Sequence, residues 1–145
     1  MYKRILVVVD GTATSLRAIR EAVDLAADQR AELAIVHVVN LEPYGAPVLG
    51  VPVSVYEEEV CRAQGRQILR QATEYARRTG VEARATLRQR RGTRLSAAIV
   101  DETRLFGADL VVLGVDGHHG LRRWWRVAEA VMQDTNVAVL QLRAS

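Results

Sequence analysis

From Leu110 to Leu113 the chain is apolar without a break, and glycines follow at 114, 117 and 120. A strand that apolar needs cover on both faces, which a parallel sheet between two helical layers supplies. Similar runs recur at Arg4 to Val9 (RILVVV), Leu33 to Val39 (LAIVHVV) and Val137 to Leu142 (VAVLQL). Between them the period changes. Leu16, Ile19, Ala22, Val23 and Ala26 fall at helical spacing, after a turn at Asp10-Gly11-Thr12 where Thr12 or Ser15 is placed to cap. Val55 to Thr79 reads as a long helix opened by Glu57, Glu58 and Glu59 and stopped by Gly80, with Gly65 as a weak point inside it. Leu95 to Phe106 and Arg123 to Gln133 are two further helices, and Ala108 to Leu113 is the fourth strand. Glu82 to Leu87 alternates and is polar enough for a sheet edge. Strand and helix thus alternate throughout. With right-handed crossovers, that order predicts an α/β fold: a doubly wound, open, five-stranded parallel sheet with helices on both faces.

A chain of 145 residues is long enough for one domain with a single core. No apolar run approaches the ~18 residues of a membrane span. The start, MYKRILVVVD, reads as a first strand and not a leader, because Asp10 ends its apolar run early. The single cysteine, Cys61, excludes an internal disulfide and suits a reducing cytoplasm; within a helix it reads as a small apolar filler. The formal charge of +3 comes mainly from arginine and permits an anionic ligand.

Open α/β sheets place ligands beyond the carboxyl ends of their strands. Asp10 stands there, after the first strand. It has two readings: a carboxylate that meets a ribose hydroxyl or a hydrated metal, or a cap for the first helix. The glycines after Leu113 allow close backbone approach, often to a phosphate. Their spacing is neither of the standard nucleotide fingerprints, and Gly45 and Gly50 are followed by Val51-Pro52 where a P-loop needs Lys-Ser. His118 and His119 are adjacent, so they point apart in regular structure, and no further ligand completes a metal set. His37, between two valines, reads as a hydrogen-bonded core histidine. The segment Asn40 to Ser54 holds all three prolines and is either a flap over a site or a plain connection. Arginines cluster at 88, 90, 91 and 94 and again at 122, 123 and 126, the second cluster beside Trp124-Trp125. They suit phosphates or solvent, and with the tryptophans they suggest at most weak nucleic-acid binding. No catalytic constellation is legible, so an enzyme is not expected.

The blocks KRILVVVDGTATSLRAIREAVDLA, ELAIVHVV and ADLVVLGVDGHHGLRRWW with EAVMQDTNVAVLQL resemble the universal stress protein family over essentially the whole chain. The resemblance implies strand order 3-2-1-4-5 and a homodimer that pairs its last strands, here Val137, Ala138, Val139, Leu140, Gln141 and Leu142. It also implies the ATP motif G-x2-G-x9-G-[S/T] found in some members. Gly114 and Gly117 match the first half. The second half falls on Val127-Ala128, or on Trp125-Arg126 if the gap is two residues shorter, and Glu129 lies nearby as a like charge to phosphate. The front of the site is better kept: Asp10 matches the family's acidic residue, Val38 falls in the adenine pocket, Leu113 precedes the glycine loop, and Val8 stands where many relatives have proline. Arg122, Arg123 or Arg126 is the expected substitute phosphate contact. The expectation is a cytoplasmic, non-enzymatic stress-response dimer without tight ATP binding and with no certain cofactor. The alternative is an adenine-nucleotide sensor or slow ATPase that takes ATP or AMP with Mg.

Overall fold

The computed structural model describes residues 1–41, 55–91, 94–115 and 121–143. Among the described residues five strands alternate with four helices: β1 (Arg4–Val8), α1 (Ala13–Gln29), β2 (Glu32–Asn40), α2 (Val55–Arg78), β3 (Ala83–Arg90), α3 (Leu95–Phe106), β4 (Leu110–Val115), α4 (Leu121–Asp134) and β5 (Ala138–Arg143). The strands form one sheet in the order β3-β2-β1-β4-β5, and the paired strands are parallel. The expected fold class and strand order are both met.

Side chains alternate across a strand, so β1 feeds two cores. Ile5, Val7 and Val9 join Ala18 and Ala22 of α1 and Leu69 and Ala72 of α2 on one face. Leu6 and Val8 join Ile99 of α3 and Trp124, Val127 and Val131 of α4 on the other. Ile5, Val7, Val111, Val112 and Leu113 have no exposed surface, as the unbroken apolar runs require. The register sets Val8 level with Val36 of β2 and with Leu113 of β4. Of the three inner strands β1 therefore stops first, while β4 runs on to Val115 and β2 to Asn40. At the opposite end the Asp109 carboxylate accepts from the Lys3 and Arg4 amides at 2.8 and 3.0 Å, which ties the start of β4 to β1.

Two boundaries differ from expectation in ways that matter. β3 runs to Arg90, three residues beyond the expected Leu87. Its arginines hid it: Arg88 stays in the strand because its guanidinium donates to Glu102 at 2.7 Å and Asp101 at 3.1 Å on α3. Helix α4 starts at Leu121 rather than Arg123, directly after Gly120.

Candidate functional site

A crevice of about 250 Å³ opens over the carboxyl ends of β1, β2 and β3. One wall is apolar, from Val8, Val38, Leu95 and Trp124. The other comes from α2, where Cys61, Gln64 and Ile68 share one helix face at spacings of three and four. Asp10, His37, Asn40 and Arg90 add polar groups along the strand ends.

Asp10 is half-buried and tied to the start of α1. Its Oδ1 accepts from the Thr12 amide at 3.0 Å and the Thr12 hydroxyl at 2.6 Å, and its own amide donates to Ser15 Oγ at 2.9 Å. Thr12 is the N-cap and accepts from the Ser15 amide at 3.2 Å. So Asp10 is not itself the cap, and neither is Ser15. Asp10 orients the residue that is the cap, and it also lines the crevice.

His37 is not the core residue it resembles in sequence. It is half-buried and borders the crevice. Its Nδ1 lies 2.8 Å from the Val9 carbonyl oxygen. A carbonyl only accepts, so Nδ1 carries a proton and is the donor of this bond. Gly65 explains how α2 comes so close: a Cβ there would lie 2.8 Å from His37 Cδ2 and 2.7 Å from Leu87 Cδ1. Cys61 is likewise a half-buried crevice residue, not a core filler.

Of the expected nucleotide residues, Val8, Asp10 and Val38 share this crevice. Leu113 lies beneath it, fully buried in the second core. At Gly114 the close neighbour is the protein itself: a Cβ would overlap the Thr14 carbonyl oxygen and come 2.8 Å from the Ser15 nitrogen. Arg126 and Glu129 are exposed on α4, and neither is among the crevice-lining residues. Gly117, Gly120, His118, His119 and most of the proline-rich segment (42–54) lie outside the described residues, as do the side chains of Arg122 and Arg123. Among the described residues no group of three or more His, Cys, Asp or Glu side chains is placed to hold a metal.

The phosphate half of the motif has a different fate. Val127 and Ala128 are each 1% exposed and lie in the middle of α4. Only the first four N–H groups of a helix lack intrahelical acceptors. In a helix that starts at Leu121, residues 125 to 128 fall beyond them, so neither reading of the degraded pair offers amides to a phosphate. Trp124 is 7% exposed and packs in the core, while Trp125 is 56% exposed.

The first arginine cluster is partly committed. Arg88 is held by α3, and Arg91 donates to Glu58 at 2.8 Å. Arg90 alone of that cluster enters the crevice. The alternation of strand side chains and the Cys61, Gln64, Ile68 spacing were the available signals for the wall that sequence reading missed. β5 is an edge strand, with Val139, Leu140, Gln141 and Leu142 half-buried, Ala138 exposed and Val137 half-buried just before it.

Comparison with known proteins agrees with this architecture. Universal stress protein MJ0531 of Methanocaldococcus jannaschii is 28% identical over 99% of this chain and 83% of its own. Universal stress protein A homolog 1 of Coxiella burnetii is 31% identical over 83% of this chain and 81% of its own. A crystal structure of a universal stress protein family member from Burkholderia pseudomallei superposes with a TM-score of 0.78 at 29% identity, covering 99% of this chain and 97% of that one. The universal stress protein of Archaeoglobus fulgidus, solved in complex with dAMP, shares the fold at 22% identity and a TM-score of 0.68, covering 97% of this chain and 98% of that one. The family profile itself, described as the universal stress protein family, matches residues 1–143, and with a five-stranded sheet in the family's order beneath it the chain belongs to that family.

Proposed function

We propose that this chain is a non-enzymatic, cytoplasmic stress-response protein that acts as a homodimer and does not hold ATP tightly. The observation that carries the reading is the course of α4. Positions that would supply a phosphate cradle lie inside a helix, with their amides committed and two of their side chains in the core. The open edge of β5 supports the dimer, because pairing there would cover backbone groups and half-buried apolar side chains at once. ATP retained after purification, found by mass spectrometry of the denatured sample, would overturn the reading.

The crevice favours a second, compatible reading: it takes a mononucleotide. Its volume of about 250 Å³ lies just under the roughly 300–1,000 Å³ of typical ligand pockets, so it suits a small ligand better than a triphosphate. An apolar wall at Val8, Val38, Leu95 and Trp124 faces Asp10 and the polar strand ends, a combination fit for a base and a ribose. The relative from Archaeoglobus fulgidus binds dAMP on the same fold. Thermal shift with AMP tests this: saturation at ~100 times the dissociation constant should add ~2.7 kcal/mol. No shift at millimolar AMP counts against it.

A further inference from the structure

Asp10 and Arg90 are the acidic and basic residues that line the crevice among the described residues, and they come from the ends of strands that are not neighbours. Asp10 follows β1. Arg90 ends β3, with β2 between them, so their strands are two spacings or about 10 Å apart. Arg90 pairs in register with Asn40, at the tip of β2, so it overhangs the strand ends. Its side chain is half-buried with Nε out of contact with solvent, which raises the strength of any charge it meets. Arg90 also engages the protein, and a guanidinium with five N–H donors can hold a protein acceptor and a ligand oxygen together.

From this polarity we propose that Arg90 is the phosphate-binding residue of the crevice, and that a nucleoside monophosphate lies with its phosphate toward β3, away from Gly114. This rests on the mononucleotide reading above. Three observations direct the ligand this way. The Asp10 carboxylate repels a phosphate at the β1 end and attracts hydroxyl or amino donors instead. The amides of residues 125 to 128 are committed within α4. Arg90 offers a planar fork that matches phosphate oxygens. The ligand class is therefore a small molecule with hydrogen-bond donors at one end and a phosphate monoester at the other.

Isothermal titration with AMP and with adenosine separates the parts. The wild-type protein should bind AMP about tenfold or more tighter than adenosine, as a charge-assisted contact requires. Arg90→Met should close that gap to within about twofold, with folding checked by circular dichroism. Arg90→Lys keeps the charge without the fork and should retain only part of the gap, which provides a test if the methionine variant does not fold. Equal affinity for AMP and adenosine in the wild type would overturn the role of Arg90 while leaving the mononucleotide reading intact. So would a gap that survives Arg90→Met. Failure of both ligands to bind would sink the mononucleotide reading and the inference with it.

Discussion

The first turn of α1 occupies the space that a side chain at Gly114 would need, with the Thr14 carbonyl oxygen in the way. The neighbour is backbone in a capped helix, so it cannot rotate aside. Gly114→Ala should therefore destabilise the protein by ~1–3 kcal/mol, as overpacking does, whether or not nucleotide is present. Urea denaturation measures it; a neutral result would mean that α1 shifts freely against β4.

Gly65 poses a subtler contest. Alanine gains up to ~1 kcal/mol in helix propensity but meets the His37 ring and Leu87. The ring is held by the Val9 carbonyl, so the clash should win and Gly65→Ala should lower the melting temperature. In a His37→Ala background the same change should be less costly. Equal effects in both backgrounds would show that the ring gives way.

The neighbouring tryptophans should behave differently. Trp124→Ala empties part of the second core and should cost ~3–5 kcal/mol. Trp125→Ala, on the exposed face of α4, should stay within ~0.5 kcal/mol of wild type. A large loss from the second change in monomeric protein would contradict this packing.

Restoring the family's Gly-Ser pair should not restore triphosphate binding. Val127→Gly with Ala128→Ser leaves both amides inside α4 and removes a core side chain, at a cost of ~2 kcal/mol or more. Calorimetry should find no gain in ATP affinity. A clear gain would show that the pair's identity matters more than its place in the helix.

Glu59 bears on acid stability. The Arg66 guanidinium, bonded at 2.7 Å, holds its carboxyl below the usual value of 4.5, with Arg62 adding to the effect. A depressed folded-state pKa stabilises the fold above the unfolded value and loses that contribution as pH falls through the folded one. Glu59→Gln should therefore melt slightly lower than wild type at neutral pH, and the difference should fade as pH falls from 4.5 through the carboxyl's lowered value. The pair is exposed, so the effect is small and salt should shrink it.

The sheet was legible because its inner strands carry unbroken apolar runs that only a two-sided cover satisfies. The end of β3 was not, because Arg88 and Arg90 look like loop residues until Glu102 and Asp101 on α3 supply partners for Arg88. Half of the crevice could be read from residues next to strand ends, such as Asp10 and Val38. The wall from α2 could not, since Cys61 and Gln64 face the strands only through the close approach at Gly65. Gly114 was read as room for a ligand, and it is room for a helix: glycine in a sequence reports a near neighbour without saying whose backbone it is.

Asp10 borders the crevice and also steadies the cap of α1, so its carboxylate serves two masters. Removing it would loosen the helix entry along with any ligand contact, and the two losses would arrive together. Change that tunes recognition without weakening the scaffold is thereby steered to the opposite bank, where Gln64, Asn40 and Arg90 can vary more independently of that helix start.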